Sequence, residues 1–404
     1  MSTTPKVRPS QILLLFLFMN IINYVDRQVV SGVLPLLKDH FSLTDAALGL
    51  LGTAFMITYS LTAIPFGAWS DRWMPHKVAA IGVAVWSVAT VSSALAWSFA
   101  SLFVFRALVG VGEAAYVSTA STILSGAYPE GKRSGILGLF NLGMPIGGAI
   151  GVMLGGWIGT QFGWQWAFFL VGVPGLLLAY FAWKLPLQKP ANTPTRPKFK
   201  LSELGTLLKN KAFFWVALGY AGISFAFGAI VLFVPTFFQR ELGYELGTAT
   251  MLAGALQVGA GLLGAPIGGW VADFWQKRDK RGRAYTLVLS MTASAICLWI
   301  GLIFHSLPLF FLSAFFMLWH VGVAAALIFD VTDASVWNTA NALAMFTMHL
   351  LGDIPSPVIV GFISDKFSLT TAFAVMPIAL LLASLFFWKA STYQSRESKT
   401  PRLL

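Results

Sequence analysis

Apolar residues run along this chain in long, nearly unbroken stretches, and polar residues gather in short clusters between them. The stretches are longer than strands and lack their alternation, so they predict helices. Each is close to the roughly 20 residues that cross a bilayer. Twelve spans can be placed, at about 10–37, 45–69, 77–97, 98–127, 134–158, 166–183, 213–238, 247–274, 285–304, 307–331, 338–363 and 371–388. Lipid gives backbone groups no water to bond, which favours helices that satisfy themselves. A transmembrane barrel would need short strands with alternating polarity, which this pattern does not show. The expected fold class is an all-α membrane protein.

Composition agrees. Of 404 residues, 57% are hydrophobic and only 11% charged, against roughly 25% charged in a soluble domain. That leaves too little polar surface for a soluble enzyme, a secreted disulfide scaffold or a disordered chain. Twelve spans would use roughly 240 residues and leave about 160 for loops and tails. Cys297 is the single cysteine and can form no internal disulfide. Lys6 and Arg8 precede an apolar stretch, as in a signal peptide, but no small-residue cleavage site follows. A retained first helix is expected.

The net charge is +11, from 27 Lys and Arg against 16 Asp and Glu. Its placement says what it is for. With a cytoplasmic N-terminus, 22 basic residues fall in inside segments, and only Lys38, Arg240 and Lys366 fall outside. That asymmetry obeys the positive-inside rule and puts both termini in the cytoplasm. It also accounts for the charge without nucleic acid. The segment 184–211 holds seven basic residues and four prolines and divides the spans six and six. It is expected to be a cytoplasmic linker between two bundles, 1–183 and 212–404.

The halves look duplicated. Gly67 and Asp71 end the second span in a Gly-x-x-x-Asp pattern, and Gly269 and Asp273 end the eighth in the same pattern, 202 residues later. Both precede basic loops, as duplicated transporter halves would. With Arg72 and Lys77, the first copy resembles the loop motif of the major facilitator superfamily. The resemblance implies a conformation-dependent ionic latch at Gly67, Asp71, Arg72, Lys77 and Asp273, although Met74 stands where the family has Gly and His76 where it has a base. An ordinary positive-inside loop is the alternative.

Charges inside the spans are the sharpest signal, because each costs a few kcal/mol in mid-bilayer unless it lines a cavity or is paired. The first span carries Asn23, Tyr24, Asp26 and Arg27, and the fourth carries Arg106 and Glu113. Asp26 and Arg27 are adjacent, point about 100° apart and need different partners. Two acids and two bases sum to zero, as a closed network requires. Asp26 and Glu113 could titrate while Arg27 and Arg106 serve as counter-charges or hold an anionic headgroup. A static ion-pair cluster is the other reading. In the C-terminal half, the seventh span is uncharged and rich in Phe, and the tenth carries Trp319 and His320. A charged half and an aromatic half would suit an amphiphile with an anionic head. Lipid-facing surfaces have the same composition.

The eleventh span, His349-Leu350-Leu351-Gly352-Asp353 followed by Ser356-Pro357, Gly361 and Asp365, resembles the Spinster family of the major facilitator superfamily. So do Asn23-Tyr24-Val25-Asp26-Arg27 with Gly32-Val33-Leu34-Pro35, and Gly110-Val111-Gly112-Glu113. The family has a basic residue just before the eleventh span, where this chain has Ser335-Val336-Trp337-Asn338. The resemblance implies twelve helices in two six-helix bundles, alternating access, and export or exchange of lysophospholipids or sphingoid phosphates coupled to protons. It places function at Asp26, Arg27, Arg106 and Glu113, with Asp353 as a further mid-span acid. The expected partners are such a lipid, protons and the bilayer, with a monomer in the cell membrane and no cofactor. A proton-coupled symporter of small organic anions such as sugar acids is the competing transport reading. An enzyme is not expected: the five histidines lack metal-ligand spacing, and no phosphate loop or His-Glu-x-x-His helix occurs.

Overall fold

A computed structural model describes residues 8–187, 205, 207, 209–333 and 336–397. The described residues form helices and no strand. In order they are α1 (Pro9–Phe41), α2 (Asp45–Arg72), α3 (Pro75–Ser93), α4 (Phe99–Ala127), α5 (Glu130–Asn141), α6 (Gly143–Phe162) and α7 (Trp164–Lys184). After the segment 188–204, which lies outside the described residues, come α8 (Lys211–Arg240), α9 (Leu246–Gln276), α10 (Gly282–Phe304), α11 (Leu307–Met317) and α12 (His320–Asp330). Last are α13 (Trp337–Met348), a π turn (His349–Asp353), α14 (Ser356–Lys366), α15 (Leu369–Phe373) and α16 (Val375–Glu397). Among the described residues, eleven stretches are long and apolar enough to cross a membrane. The shorter α3, which opens on Pro75-His76-Lys77, accounts for the remaining expected span. Large apolar side chains such as Ile64 and Trp97 stand more than three-quarters exposed, as lipid-facing residues do.

The fifth span, α5 with α6, runs on through Leu142, whose backbone stays helical (φ −62, ψ −20). Two spans depart from regular helix. The tenth is kinked near the start of α12, where Val321 is extended (ψ 118) and Gly322 takes φ +81. The eleventh widens into the π turn, just before Pro355 and Pro357, neither of which has an N–H to donate. Short polar caps set other ends: the Thr44 side chain accepts from the Ala47 N–H at the start of α2, and Ser98 caps α4 through Ser101.

The chain clusters into two compact units. One contains the described residues up to 187 and those of 232–255, and the other contains the described residues of 205–231 and 256–397. In the first, α6 lies against α1 along a row of glycines. A Cβ at Gly147, Gly151 or Gly155 would run into the backbone oxygens of Ile21, Val25 and Val29 in turn. Small residues allow this approach where lipid supplies no hydrophobic drive. Gly110 and Gly112 act similarly for α4: a Cβ would meet Phe55 and Thr58 of α2 from Gly110, and Gly82 and Trp86 of α3 from Gly112. The seams bring α1, α2, α3 and α4 together around the charges of the first and fourth spans.

Candidate substrate and coupling site

Asp26 and Arg27 sit near the middle of α1, and Glu113 sits at the middle of α4. The adjacent pair does take different partners. Arg106 Nη1 donates to Asp26 Oδ1 at 3.3 Å, and the Thr90 hydroxyl on α3 donates to Asp26 Oδ2. Arg27 donates to Glu113 Oε2 from Nη2 at 2.7 Å and from Nε at 3.1 Å. The Tyr116 hydroxyl donates to the Phe16 carbonyl at 2.9 Å and fixes the antiparallel register of α4 on α1 one end further along.

Burial separates the four charges. Asp26, Glu113 and Arg106 are sealed, whereas the Arg27 side chain keeps 21% of its surface. Three rings surround its guanidinium: Phe55 at 4.8 Å, Tyr24 at 5.2 Å and Tyr59 at 5.2 Å. Such a box holds a cation in place while leaving its edge available to an anion. Several sealed polar atoms make no hydrogen bond: both amide atoms of Asn23, Nε of Arg106 and Oε1 of Glu113. The network therefore has spare donors and acceptors at its centre.

The second unit carries its own polar group, at the two helix interruptions. His349 Nδ1 lies 3.0 Å from both carboxylate oxygens of Asp353 within the π turn. Gly228 of α8 lets that turn approach, since a Cβ there would meet Asp353 and the Ser356 hydroxyl, which is buried without a partner. His320 Nδ1 donates to the Met317 carbonyl at 2.7 Å, next to the kink near the start of α12. Its ring faces those of Tyr220 and Phe227. Trp319 is buried against Phe315 and Phe316.

Of the expected latch residues, Gly67 is buried in α2 and Arg72 is exposed at its end, while the Asp71 side chain lies outside the described residues. Lys77 sits over Trp183 at 5.2 Å and Trp73 at 5.9 Å. In the second unit Asp273 is mostly exposed and reaches Arg283 at 3.4 Å. The tight partner of Arg283 is Asp330, at 2.7 and 2.8 Å, with Gln276 adding a bond to the same carboxylate at 3.2 Å. In the adjoining loop the Arg281 guanidinium holds the Asp279 carboxyl below its ordinary value.

Phe55, Tyr59 and Thr90 carry no motif in the sequence, whereas His349 and Ser356 stand in the eleventh-span motif without an assigned role. A helical spacing of four was the available signal for Phe55 with Tyr59 and for His349 with Asp353. Thr90 gave none. Among the described residues no group of three His, Cys, Asp or Glu could hold a metal ion.

A profile described as the Major Facilitator Superfamily matches residues 16–281. The chain is 29% identical over 382 residues to protein spinster homolog 1 of Xenopus tropicalis, covering 88% of this chain and 73% of that protein. It is 28% identical over 408 residues to a sphingosine-1-phosphate transporter of the same species, covering 91% and 79%. The crystal structure of a bacterial homologue of the human lysosomal transporter Spinster, inward-facing and unoccupied, matches with TM-score 0.84 at 22% identity, over 98% of this chain and 100% of that one. That likeness concerns the fold. The relatives meet the resemblance seen in the sequence, and they are transporters rather than enzymes. With a profile match over well more than half its length and an all-helical membrane fold, the chain belongs to the major facilitator superfamily of membrane transporters.

Proposed function

We propose that this transporter moves an amphipathic lipid with an anionic head, of lysophospholipid or sphingoid-phosphate type, by alternating access coupled to protons. The observation that supports this most is the partial opening of Arg27. It is the one member of the four-charge network with an accessible edge, and it is held in an aromatic box. A phosphate arriving at that edge competes with Glu113 for the guanidinium forks. A carboxylate that loses its counter-charge in a dry site is neutralised by a proton, because an unpaired buried charge is costly. Release of the lipid restores the Arg27–Glu113 pair and returns the proton. Asp26 is the second proton-exchanging acid, with Arg106 as its counter-charge and Asn23 and Tyr24 lining the same stretch of α1.

In the second unit Asp353, His320 and Trp319 complete the assignment, the first as a further mid-span acid. Gly67, Asp71, Arg72, Lys77 and Asp273 govern switching between states. The two six-helix halves are 1–183 and 212–404, joined by 184–211. Both termini lie in the cytoplasm, and the protein works as a monomer in the cell membrane. The names of the relatives support the lipid class, and the basic loops support the orientation.

A thermal-shift titration of the purified protein tests the substrate class. Anionic lysolipids should raise the melting temperature of the wild type and not of Arg27→Met, and sugar acids should leave both unchanged. Stabilisation by small hydrophilic acids alone would replace this reading with that of an organic-anion symporter.

A further inference from the structure

At the end of the bundle opposite the basic loops, one carboxylate is shared by two bases from distant parts of the chain. Asp45 accepts from Lys38 Nζ at 2.7 Å. It also accepts from both terminal nitrogens of Arg240, each at 2.7 Å, one per carboxylate oxygen. The Asp45 side chain is 2% exposed, while Lys38 and Arg240 each keep 30%. Asp45 is the first residue of α2, behind the Thr44 cap, so its charge also meets the positive end of that helix. Bidentate pairing with an Arg fixes geometry as well as charge.

Arg240 is the last residue of α8. Helices α8 and α9 each belong to both compact units, with their tip, 232–255, in the first. Pro235 lies one turn from the crossover in α8 and cannot donate to the carbonyl a turn before it. Three further contacts hold the tip to the first unit. The buried Ser31 hydroxyl of α1 donates to the Leu232 carbonyl at 2.8 Å. Thr250 of α9 packs on Gly156 of α6 so closely that any Cβ there would collide with it. Met153 lies against Gly254 in the same way.

We infer that Asp45 is the hub of a latch that fastens the α8–α9 tip onto α1, α2 and α6, and that the transport cycle requires this latch to open. The partial exposure of its two bases makes opening reversible. Water that already reaches Lys38 and Arg240 can hydrate Asp45 once the tip lifts, so no charge is stranded in a dry site. Read from the sequence, Lys38 and Arg240 stand only among the rare bases on the outer face. The inference rests on membership of a transporter superfamily and is independent of the identity of the substrate.

The test uses the full chain in liposomes without substrate. Ser31→Cys is introduced together with Cys297→Ser, and labelling by a membrane-impermeant maleimide is timed from the face carrying Lys38. Asp45→Asn should speed labelling at least about tenfold, because removing the shared charge shifts the population toward the open tip. Lys38→Met, which leaves the Arg240 fork, should give a smaller increase. Exchanging the charges as Asp45→Arg with Arg240→Asp should return the rate toward that of the starting protein. An unchanged rate in Asp45→Asn that still elutes as a folded monodisperse species would overturn the latch. If Asp45→Asn does not fold, Arg240→Gln supplies the same comparison, and an unchanged rate there would overturn it equally.

Discussion

Arg27 places two donors on a single oxygen of Glu113, Oε2, at 2.7 and 3.1 Å, and the other oxygen, Oε1, is buried with no partner. The pair is therefore tight on one side and unfinished on the other. A fully saturated structural ion pair would use both carboxylate oxygens against the fork. On the proposed mechanism, Oε1 is the oxygen open to a proton once a phosphate draws Arg27 away.

The fork and its aromatic box make a specific prediction for binding. Arg27→Lys keeps the charge but loses the planar pair of donors. Affinity for an anionic lysolipid should fall by about tenfold, the scale of one charged hydrogen bond. Phe55→Leu should cost less, about 0.5–1 kcal/mol, by removing the nearest ring from the guanidinium. Isothermal titration in detergent micelles measures both.

The Asp26–Arg106 pair is sealed, so its stability effect should be asymmetric. Arg106→Met strands a buried carboxylate and should destabilise the fold by about 3–5 kcal/mol. Combining it with Asp26→Asn should recover most of that loss, because no charge is then left unpaired. Melting temperatures of the two single variants and the double variant decide the point. Equal damage in the double and in Arg106→Met would show that packing, not charge, is what the pair contributes.

Two glycines should respond in opposite ways. Gly151→Val drives a side chain into the Val25 backbone at the α1–α6 seam and should abolish folding or lower yield severely. Gly269, for which an added Cβ meets nothing, is helical in α9. Gly269→Ala should be neutral or stabilise by up to about 1 kcal/mol through helix propensity. Fluorescence-detected size exclusion after heating compares them.

The latch loop of the second unit should depend on Asp330 more than on Asp273. Arg283 grips Asp330 at 2.7 and 2.8 Å, and its 3.4 Å contact to the exposed Asp273 is weak. Exposed pairs contribute at most about 1 kcal/mol. Both variants should therefore slow uptake, Asp330→Asn severalfold and Asp273→Asn by about twofold. Initial rates in proteoliposomes separate the two.

Much of this was legible in the sequence because a bilayer leaves few choices. Apolar runs of fixed length, the placement of Lys and Arg, and the scarcity of mid-span charge fix the spans and the four-charge cluster. The adjacency of Asp26 and Arg27 forced them toward different partners, and the structure gives them Arg106 and Glu113. The kink in the tenth span was not legible. Gly322 sits in an apolar run that reads as an ordinary span, and nothing marks it as the residue with φ +81. The π turn precedes Pro355 and Pro357, so its cause and its position differ. Thr90 and Phe55 join the site from other helices, where a Thr or a Phe at an apolar position is indistinguishable from packing. Asp45 looked like the start of a helix, and its bond to Arg240 spans 195 residues.

The most direct test of the whole proposal is uptake of an anionic lysophospholipid into proteoliposomes under an imposed pH gradient. Wild-type protein should move the lipid faster with the gradient than without it. Glu113→Gln and Asp26→Asn should remove the response to the gradient while the proteins remain folded. Full gradient-driven uptake in both variants, or no movement of the lipid by the wild type, would contradict it.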